Sequence, residues 1–180
     1  MFPKISKSES GLVKIIKPSE VASIAKKVEK QNLQFRSFLK FHADEDELDL
    51  QFLELHNELF KNYDCSKCAN CCKEYELEID EFEVGKITQF LGLTKEEWVE
   101  KYSVAESGFK YEMKHKPCAF LDEYGKCTIE KCKPQGCVDY PFTNKPDRLS
   151  SMYSMIEHAS VCPVVFEILE RLKKLYRFRG

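Results

Sequence analysis

Cysteine is the residue type in this chain whose number and spacing indicate specific chemistry. A C-x-x-C turn places two sulfurs on one side of a tight loop, where backbone N–H groups can donate hydrogen bonds to them. Cys65, Cys68 and Cys71 extend this turn to C-x-x-C-x-x-C and offer three sulfurs from one loop. Four-coordinate zinc or a cubane iron–sulfur cluster then needs one distant thiolate, and Cys162-Pro163 has the form of that remote ligand in ferredoxin-type ligation. Cys162 also precedes a predicted helix, whose dipole favours the thiolate.

Cys72 is expected to belong to a second group of ligands. Because the side chains of adjacent residues point apart, Cys72 is not expected to share an ion with Cys71. The partners expected for it are Cys118, Cys127 and Cys137. The eight cysteines make either two S₄ sites or one site with a few structural thiols, and the sequence leaves this partition open. Cysteines acting as small buried hydrophobes would not explain four of them within eight polar residues.

Other side chains near the cysteines are further candidates. Cys132 is the spare ninth cysteine, and the two lysines that flank it are expected to make its thiol reactive. His115 and His158 lie three and four residues before a cysteine, so they are candidate ligands or proton carriers, with an ordinary structural role as the alternative. His42 and His56 are interpreted as structural. Six lysines flank the predicted ligands and would stabilise a negatively charged tetrathiolate site, with plain solvation as the alternative: Lys67, Lys73, Lys116, Lys126, Lys131 and Lys133.

Periodicity and capping residues predict a mainly helical chain. The predicted helices cover residues 19–40, 45–61, 80–91, 94–102 and 163–178, after an irregular lead-in over residues 1–18. The first two helices are expected to pair as an antiparallel hairpin. Alternating residues predict short strands at 75–79 and 109–113, and a turn at 122–125 predicts a β-hairpin over 118–129.

The expected fold class is α+β, a small and mainly helical domain with short β-strands organised around a cysteine metal site. Residues 1–61 are interpreted as a helical N-terminal extension packed on the core, and residues 62–180 as the cysteine-cluster metal-binding domain. Residues 62–72 are polar and carry too few apolar side chains to fold without a ligand.

Composition limits the partners and the compartment. The 28 basic and 30 acidic residues give a formal charge of −2 at pH 7, which lacks the basic excess of nucleic-acid-binding proteins. No apolar stretch is long enough to span a membrane, and the first residues lack the apolar core of a secretory signal. The prediction is a cytoplasmic protein whose thiols stay reduced, which favours metal binding over disulfides.

The ordered set of these motifs resembles the CxxCxxCC cysteine-cluster family of zinc- or iron-chelating proteins, the YkgJ type, over about residues 63–165. The matching elements are Cys65-x-x-Cys68-x-x-Cys71-Cys72, Pro117-Cys118-Ala119-Phe120-Leu121, Gly125-Lys126-Cys127-Thr128-Ile129, Lys133-Pro134-Gln135-Gly136-Cys137 with Tyr140-Pro141, and Cys162-Pro163. Lys133 and Val138 stand where the family usually has Arg, and Cys132 is not among its usual cysteines. The resemblance implies metal binding and leaves the reaction open. Some members are described as iron–sulfur proteins or oxidoreductases, and a related cluster occurs in the longer flagellin lysine N-methylases.

Three functions remain under consideration. The first is a metal-binding protein that chelates zinc or iron, including as an iron–sulfur cluster, and the lack of nucleotide-binding, H-E-x-x-H and G-x-S-x-G motifs favours it. The alternative is an iron–sulfur redox or group-transfer enzyme, including a protein methylase-like role, which the ferredoxin-like spacing favours. The third is a partner module in which the helices before Asn62 dock a client protein.

Overall fold

Two structural units make up the part of the chain that the computed structural model describes, residues 15–108 and 110–180. The first unit combines the described residues up to Asp64 with Pro141–Gly180, and the second is Cys65–Tyr140. Most of the predicted lead-in falls outside the described residues, as does Phe109. The predicted division into residues 1–61 and 62–180 follows the cysteine motifs rather than this packing, and it stays a prediction.

Most of the elements are helices and one small sheet accompanies them, which confirms the predicted, mainly helical α+β class. In chain order the elements are α1 (Pro18–His42), α2 (Glu45–Phe60), α3 (Cys65–Cys68), α4 (Cys71–Glu74), β1 (Glu78–Asp80), α5 (Glu81–Leu91), α6 (Lys95–Tyr102), β2 (Ser103–Ser107), β3 (Lys110–Met113), a 3₁₀ helix (Glu130–Cys132), α7 (Gln135–Asp139), α8 (Met152–Ala159) and α9 (Pro163–Leu175). Within the described ranges, none of the helices is long and apolar enough to cross a membrane.

In the first unit, α1 and α2 pack their apolar stripes against α9, and α1 also packs against α8. The predicted pairing of the first two helices chiefly with each other is therefore wrong. The reason is α9 itself, which buries Val165, Ile168, Leu169 and Leu172 and so offers a wider apolar face than either early helix. No helix was predicted from the sequence at the position of α8. This helix is short, and its N-cap residue Ser151 makes no capping hydrogen bond.

Polar contacts hold residues 141–151, which precede α8, onto the rest of the first unit. The carboxylate of Asp49 accepts hydrogen bonds from the backbone N–H groups of Asp147 and Arg148, both at 2.8 Å. The buried guanidinium of Arg148 donates to the carbonyl oxygens of Phe142 at 2.8 Å and Pro146 at 2.7 Å. Because one guanidinium bonds two carbonyls six and two residues before it, Arg148 fixes the shape of this segment.

The second unit is built on a three-stranded antiparallel sheet in the order β1-β3-β2, with Ile79 opposite Tyr111. Both predicted capping boxes are present, Asp80 with Glu83 at the start of α5 and Thr94 with Glu97 at the start of α6. The sheet and these helices bury a core of Ile79, Val84, Ile87, Trp98, Tyr111, Phe120 and Ile129. Cys118, Cys127 and Cys132 pack against that core, so it supports the cysteine motifs. Strand β2 follows α6 directly, and no alternation in the sequence predicts it.

Candidate metal site

The cysteine loop consists of two one-turn helices joined by a left-handed residue. Helix α3 carries Cys65 and Cys68 at a spacing of three, which places both on one side of the turn. Ala69 follows with φ 46°, is buried, and donates its N–H to the Cys65 carbonyl at 2.8 Å. Helix α4 begins at Cys71. Cys65 is exposed, whereas Cys68, Cys71 and Cys72 are half-buried.

A backbone hydrogen bond joins this loop to the predicted hairpin. The N–H of Cys118 donates to the carbonyl of Cys72 at 2.7 Å. Leu121 pairs with Cys127 as an antiparallel bridge, and the turn between them matches the predicted β-hairpin. Two backbone N–H groups point at sulfurs, that of Phe120 at Cys118 and that of Ile129 at Cys127, each two residues downstream of its cysteine. Such N–H donors stabilise thiolates, because they meet the negative sulfur with a positive dipole end.

Cys137 lies in the one-turn helix α7. Its N–H donates to the carbonyl of Pro134 at 2.9 Å. Burial raises the pKa of the Cys137 thiol to about 12, and the nearby Cys118, Cys72 and Cys127 raise it further, against the opposing charge of Lys133. A thiol in these surroundings ionises only when a cation compensates it.

The other three thiols of this group also influence one another. A hydrogen bond from Cys71 lowers the pKa of Cys72 to about 6, against its own burial. Burial raises the pKa of Cys118 and of Cys127, and Cys118 and Cys72 interact electrostatically, as do Cys127 and Cys118. Cys72, Cys118, Cys127 and Cys137 therefore form one mutually interacting group, called the thiol tetrad below.

The donor chemistry of the thiol tetrad fits zinc or iron, but its side chains are not set in a coordination geometry. Among residues 15–108 and 110–180, no three His, Cys, Asp or Glu side chains are arranged to hold an ion as they stand. The tetrad nonetheless supplies four sulfurs from separate backbone segments, two of them already facing N–H donors. That is the donor set of tetrahedral zinc and iron–sulfur sites.

The contact between Cys71 and Cys72 corrects one sequence-based argument. Adjacent side chains were expected to point apart, yet the two thiols hydrogen-bond to each other. The argument that separates the two ligand groups at this point therefore fails, and the partition of the eight cysteines stays a prediction.

Cys162 and Cys132 lie in different surroundings in the structure. Cys162 is the N-cap residue of α9 in the first unit, is buried, and donates its N–H to the carbonyl of His158 at 2.7 Å. Its membership of a quartet with the first three cysteines stays a prediction. Cys132 packs against the core of the second unit, and burial raises the pKa of its thiol. The expectation that neighbouring lysines make Cys132 reactive is therefore wrong in direction, because desolvation disfavours the thiolate.

The histidines lie in different surroundings. His56 Nδ1 lies 2.8 Å from Thr143 Oγ1, and His158 is buried and stacks on Phe142. Burial lowers the pKa of both imidazoles, which favours their neutral forms. His115 is exposed.

Gly125 and Lys133 make contributions that the sequence alone does not predict. Gly125 has φ +80°, and a Cβ there would lie 2.5 Å from the carbonyl oxygen of Ser66 in the cysteine loop. The turn at Gly125 is readable from the sequence, but its approach to Ser66 is not. Lys133 is one of six flanking lysines in the sequence, and its charge acts to lower the pKa of Cys72, Cys127 and Cys137.

Comparison with known proteins agrees with the motif pattern. The profile of the CxxCxxCC family, described as a "putative zinc- or iron-chelating domain", matches residues 64–163, more than half of the chain. Neither the curated proteins nor the solved structures contain a match to this chain. The matched region contains all eight predicted ligands from Cys65 to Cys162. The chain therefore belongs to the CxxCxxCC family.

Proposed function

We propose that this chain chelates zinc or iron through the thiol tetrad, Cys72, Cys118, Cys127 and Cys137. The observation that supports this proposal is the electrostatic interaction of all four thiols within the second unit. Four electrostatically interacting sulfurs in a partly desolvated setting are a poor arrangement for free thiolates and a good one for a thiophilic cation. The reducing conditions of the cytoplasm, where we expect the chain, would keep these thiols available.

The chain's own residues have separate tasks in this proposal. The N–H groups of Phe120 and Ile129 spread the negative charge of two sulfurs, and the apolar core beneath Cys118 and Cys127 excludes water. A bound ion would supply the positive charge that lets Cys137 ionise. Because the ligands come from segments far apart in the sequence, binding free energy at the tetrad would also be folding free energy for the second unit.

The second candidate is an iron–sulfur redox or group-transfer protein. The C-x-x-C-x-x-C loop has the spacing of cluster ligands, and the exposure of Cys65 favours a cluster near the surface, where an electron-transfer partner could approach. Cys162 is the proposed fourth ligand of that group.

Elemental analysis of protein purified without oxygen tests both candidates. One equivalent of zinc in a colourless protein would support chelation by the tetrad and exclude the cluster. Iron with an equal amount of acid-labile sulfide and a broad brown absorbance would support the cluster instead. A folded protein that holds neither metal, and takes up neither on reconstitution, would refute both.

Cysteine variants test the ligand assignment. Cys137→Ser should lower the bound metal and the folded fraction of the second unit together, because a serine hydroxyl is a poor ligand for a thiophilic ion. Cys132→Ser is the matched control, since Cys132 packs on the same core but lies outside the tetrad. Cys68→Ser reports on the other group. Full metal content and full stability in Cys137→Ser would show that the tetrad is not the site.

A further inference from the structure

A groove of about 330 Å³ lies between α1 and α8 in the first unit. One wall is a stripe of α1 residues that are all exposed, Ala22, Lys26, Glu29 and Leu33. Their spacing of four, three and four residues keeps them on one face of the helix over about 16 Å. It is also the spacing with which two helices pack along a shared seam.

Apolar surface and unpaired charge are both open to solvent in this groove. Leu33 is 39% exposed, and Tyr153 on the α8 wall is 54% exposed. Within the part of the chain that the structure describes, Lys26 and Glu29 have no ion-pair partner. A helix that covers the groove must therefore fill it with apolar side chains and bring a charge of each sign.

The α1 stripe is complementary to itself when two copies of it run antiparallel. A two-fold axis at the middle of the stripe places Ala22 of one copy opposite Leu33 of the other. The same axis places Lys26 opposite Glu29. A small side chain then meets a large one and a cation meets an anion, and symmetry makes each pairing occur twice. An isologous dimer requires self-complementarity of this kind.

We propose that two copies of this chain form a dimer through the groove, with α1 of each copy antiparallel to α1 of the other. Leu33 of each copy enters the groove of the other beside Ala22, so two leucines are buried per dimer. Glu157, the remaining charged residue of the groove, is exposed and lies on α8, where it stays solvated at the polar rim. This inference is independent of metal binding, because neither helix carries a residue of the thiol tetrad.

Charge variants of the full chain test the proposed register. Sedimentation equilibrium over a series of concentrations, with a reductant present to exclude disulfides, gives the dimer dissociation constant. Lys26→Glu and Glu29→Lys should each raise this constant about 10-fold, because each turns two attractive pairs into two repulsive ones. The double variant restores both pairs and should associate as the wild type does. A general effect of net charge would instead move the two single variants in opposite directions.

A mixture of the two single variants provides a second test. In their heterodimer every reversed charge faces an opposite charge, so the mixture should associate as tightly as the wild type. Lys40→Glu is the matched control, since it makes the same change of charge on α1 outside the paired stretch. Leu33→Gln should weaken association about 10-fold, whereas Leu50→Gln, at an exposed position of α2, should not. All these side chains are exposed, so circular dichroism should show the helix content of the wild type.

Several results would overturn the proposal. A wild type that stays monomeric at every concentration would refute the dimer. A dimer whose dissociation constant is the same in Lys26→Glu and Leu33→Gln would use a different surface, and the groove would not be its interface. A double charge variant that associates as weakly as the single variants, or an equal loss in Lys40→Glu, would refute the antiparallel pairing.

Discussion

Replacement of Gly125 by Ala is the sharpest test of how the hairpin turn meets the cysteine loop. Gly125 has φ +80°, and its N–H donates to the carbonyl of Asp122 at 3.1 Å, which closes the turn. A Cβ at this position would lie 2.5 Å from the Ser66 carbonyl oxygen and 3.7 Å from the Ala69 Cβ. Because the Ser66 oxygen is a backbone atom, it cannot rotate away, and either the turn or the loop must move.

The expected loss of stability has two parts. A residue with a Cβ in the left-handed region costs about 1–2 kcal/mol relative to Gly. Forcing packed backbone apart costs about 1–3 kcal/mol more, by analogy with overpacked cores. Gly125→Ala should therefore lower the free energy of unfolding by about 2–5 kcal/mol. Trp98 is the single tryptophan and lies in the core of the second unit, so its fluorescence during urea titration reports on the unfolding of that unit.

Gly92→Ala provides the matched control. Gly92 ends α5 with φ +67°, but nothing lies within 4 Å of a Cβ built there. It should lose only the backbone part, about 1–2 kcal/mol. Gly125→Ala should also weaken Zn²⁺ binding, since Gly125 lies in the turn between Cys118 and Cys127 of the tetrad, whereas Gly92→Ala should not. If the two variants lower the free energy of unfolding equally and bind zinc with the same affinity, the close approach of the turn to the loop affects neither stability nor binding.

Three further predictions concern burial, protonation and metal removal. Arg148→Met should destabilise the first unit by about 3 kcal/mol, because it removes the charged donor to the Phe142 and Pro146 carbonyls, while the exposed Lys174→Gln should change little when urea unfolding is followed by circular dichroism. The pKa values of His56 and His158 lie below that of unfolded histidine, so the unfolded chain binds more protons in acid. Stability should fall as the pH drops below about 6.5, and replacing both histidines by Gln should flatten this dependence in unfolding measured against pH. Chelator treatment of metal-loaded protein should shift Trp98 fluorescence, and an unchanged spectrum with the metal removed would contradict coupling of metal and fold.

The helices were predicted well where capping residues mark their ends in the sequence. Asp80 and Thr94 begin helices through capping boxes, and Gly92 ends one in the left-handed conformation, all within a few residues of sequence. Helix α8 lacks such a cap, and β2 lacks alternation, so neither is predictable from its own residues. The error about α1 and α2 has the same origin, because an apolar stripe predicts that a helix is buried and not which partner buries it.

The sequence by itself determined that this chain carries a thiol-rich metal signature, and it favoured eight of the nine cysteines as its ligands, with His115 and His158 as further candidates. These conclusions depend on residue types and short spacings, which are local properties. Only the tertiary structure decided that Cys72 interacts with Cys71 as well as with its predicted partners Cys118 and Cys137, and that burial raises the pKa of Cys132. Those relations join segments up to 65 residues apart, from Cys72 to Cys137. They depend on how the hairpin, the turn at Gly125 and the 3₁₀ helix pack on one core, which no single segment encodes.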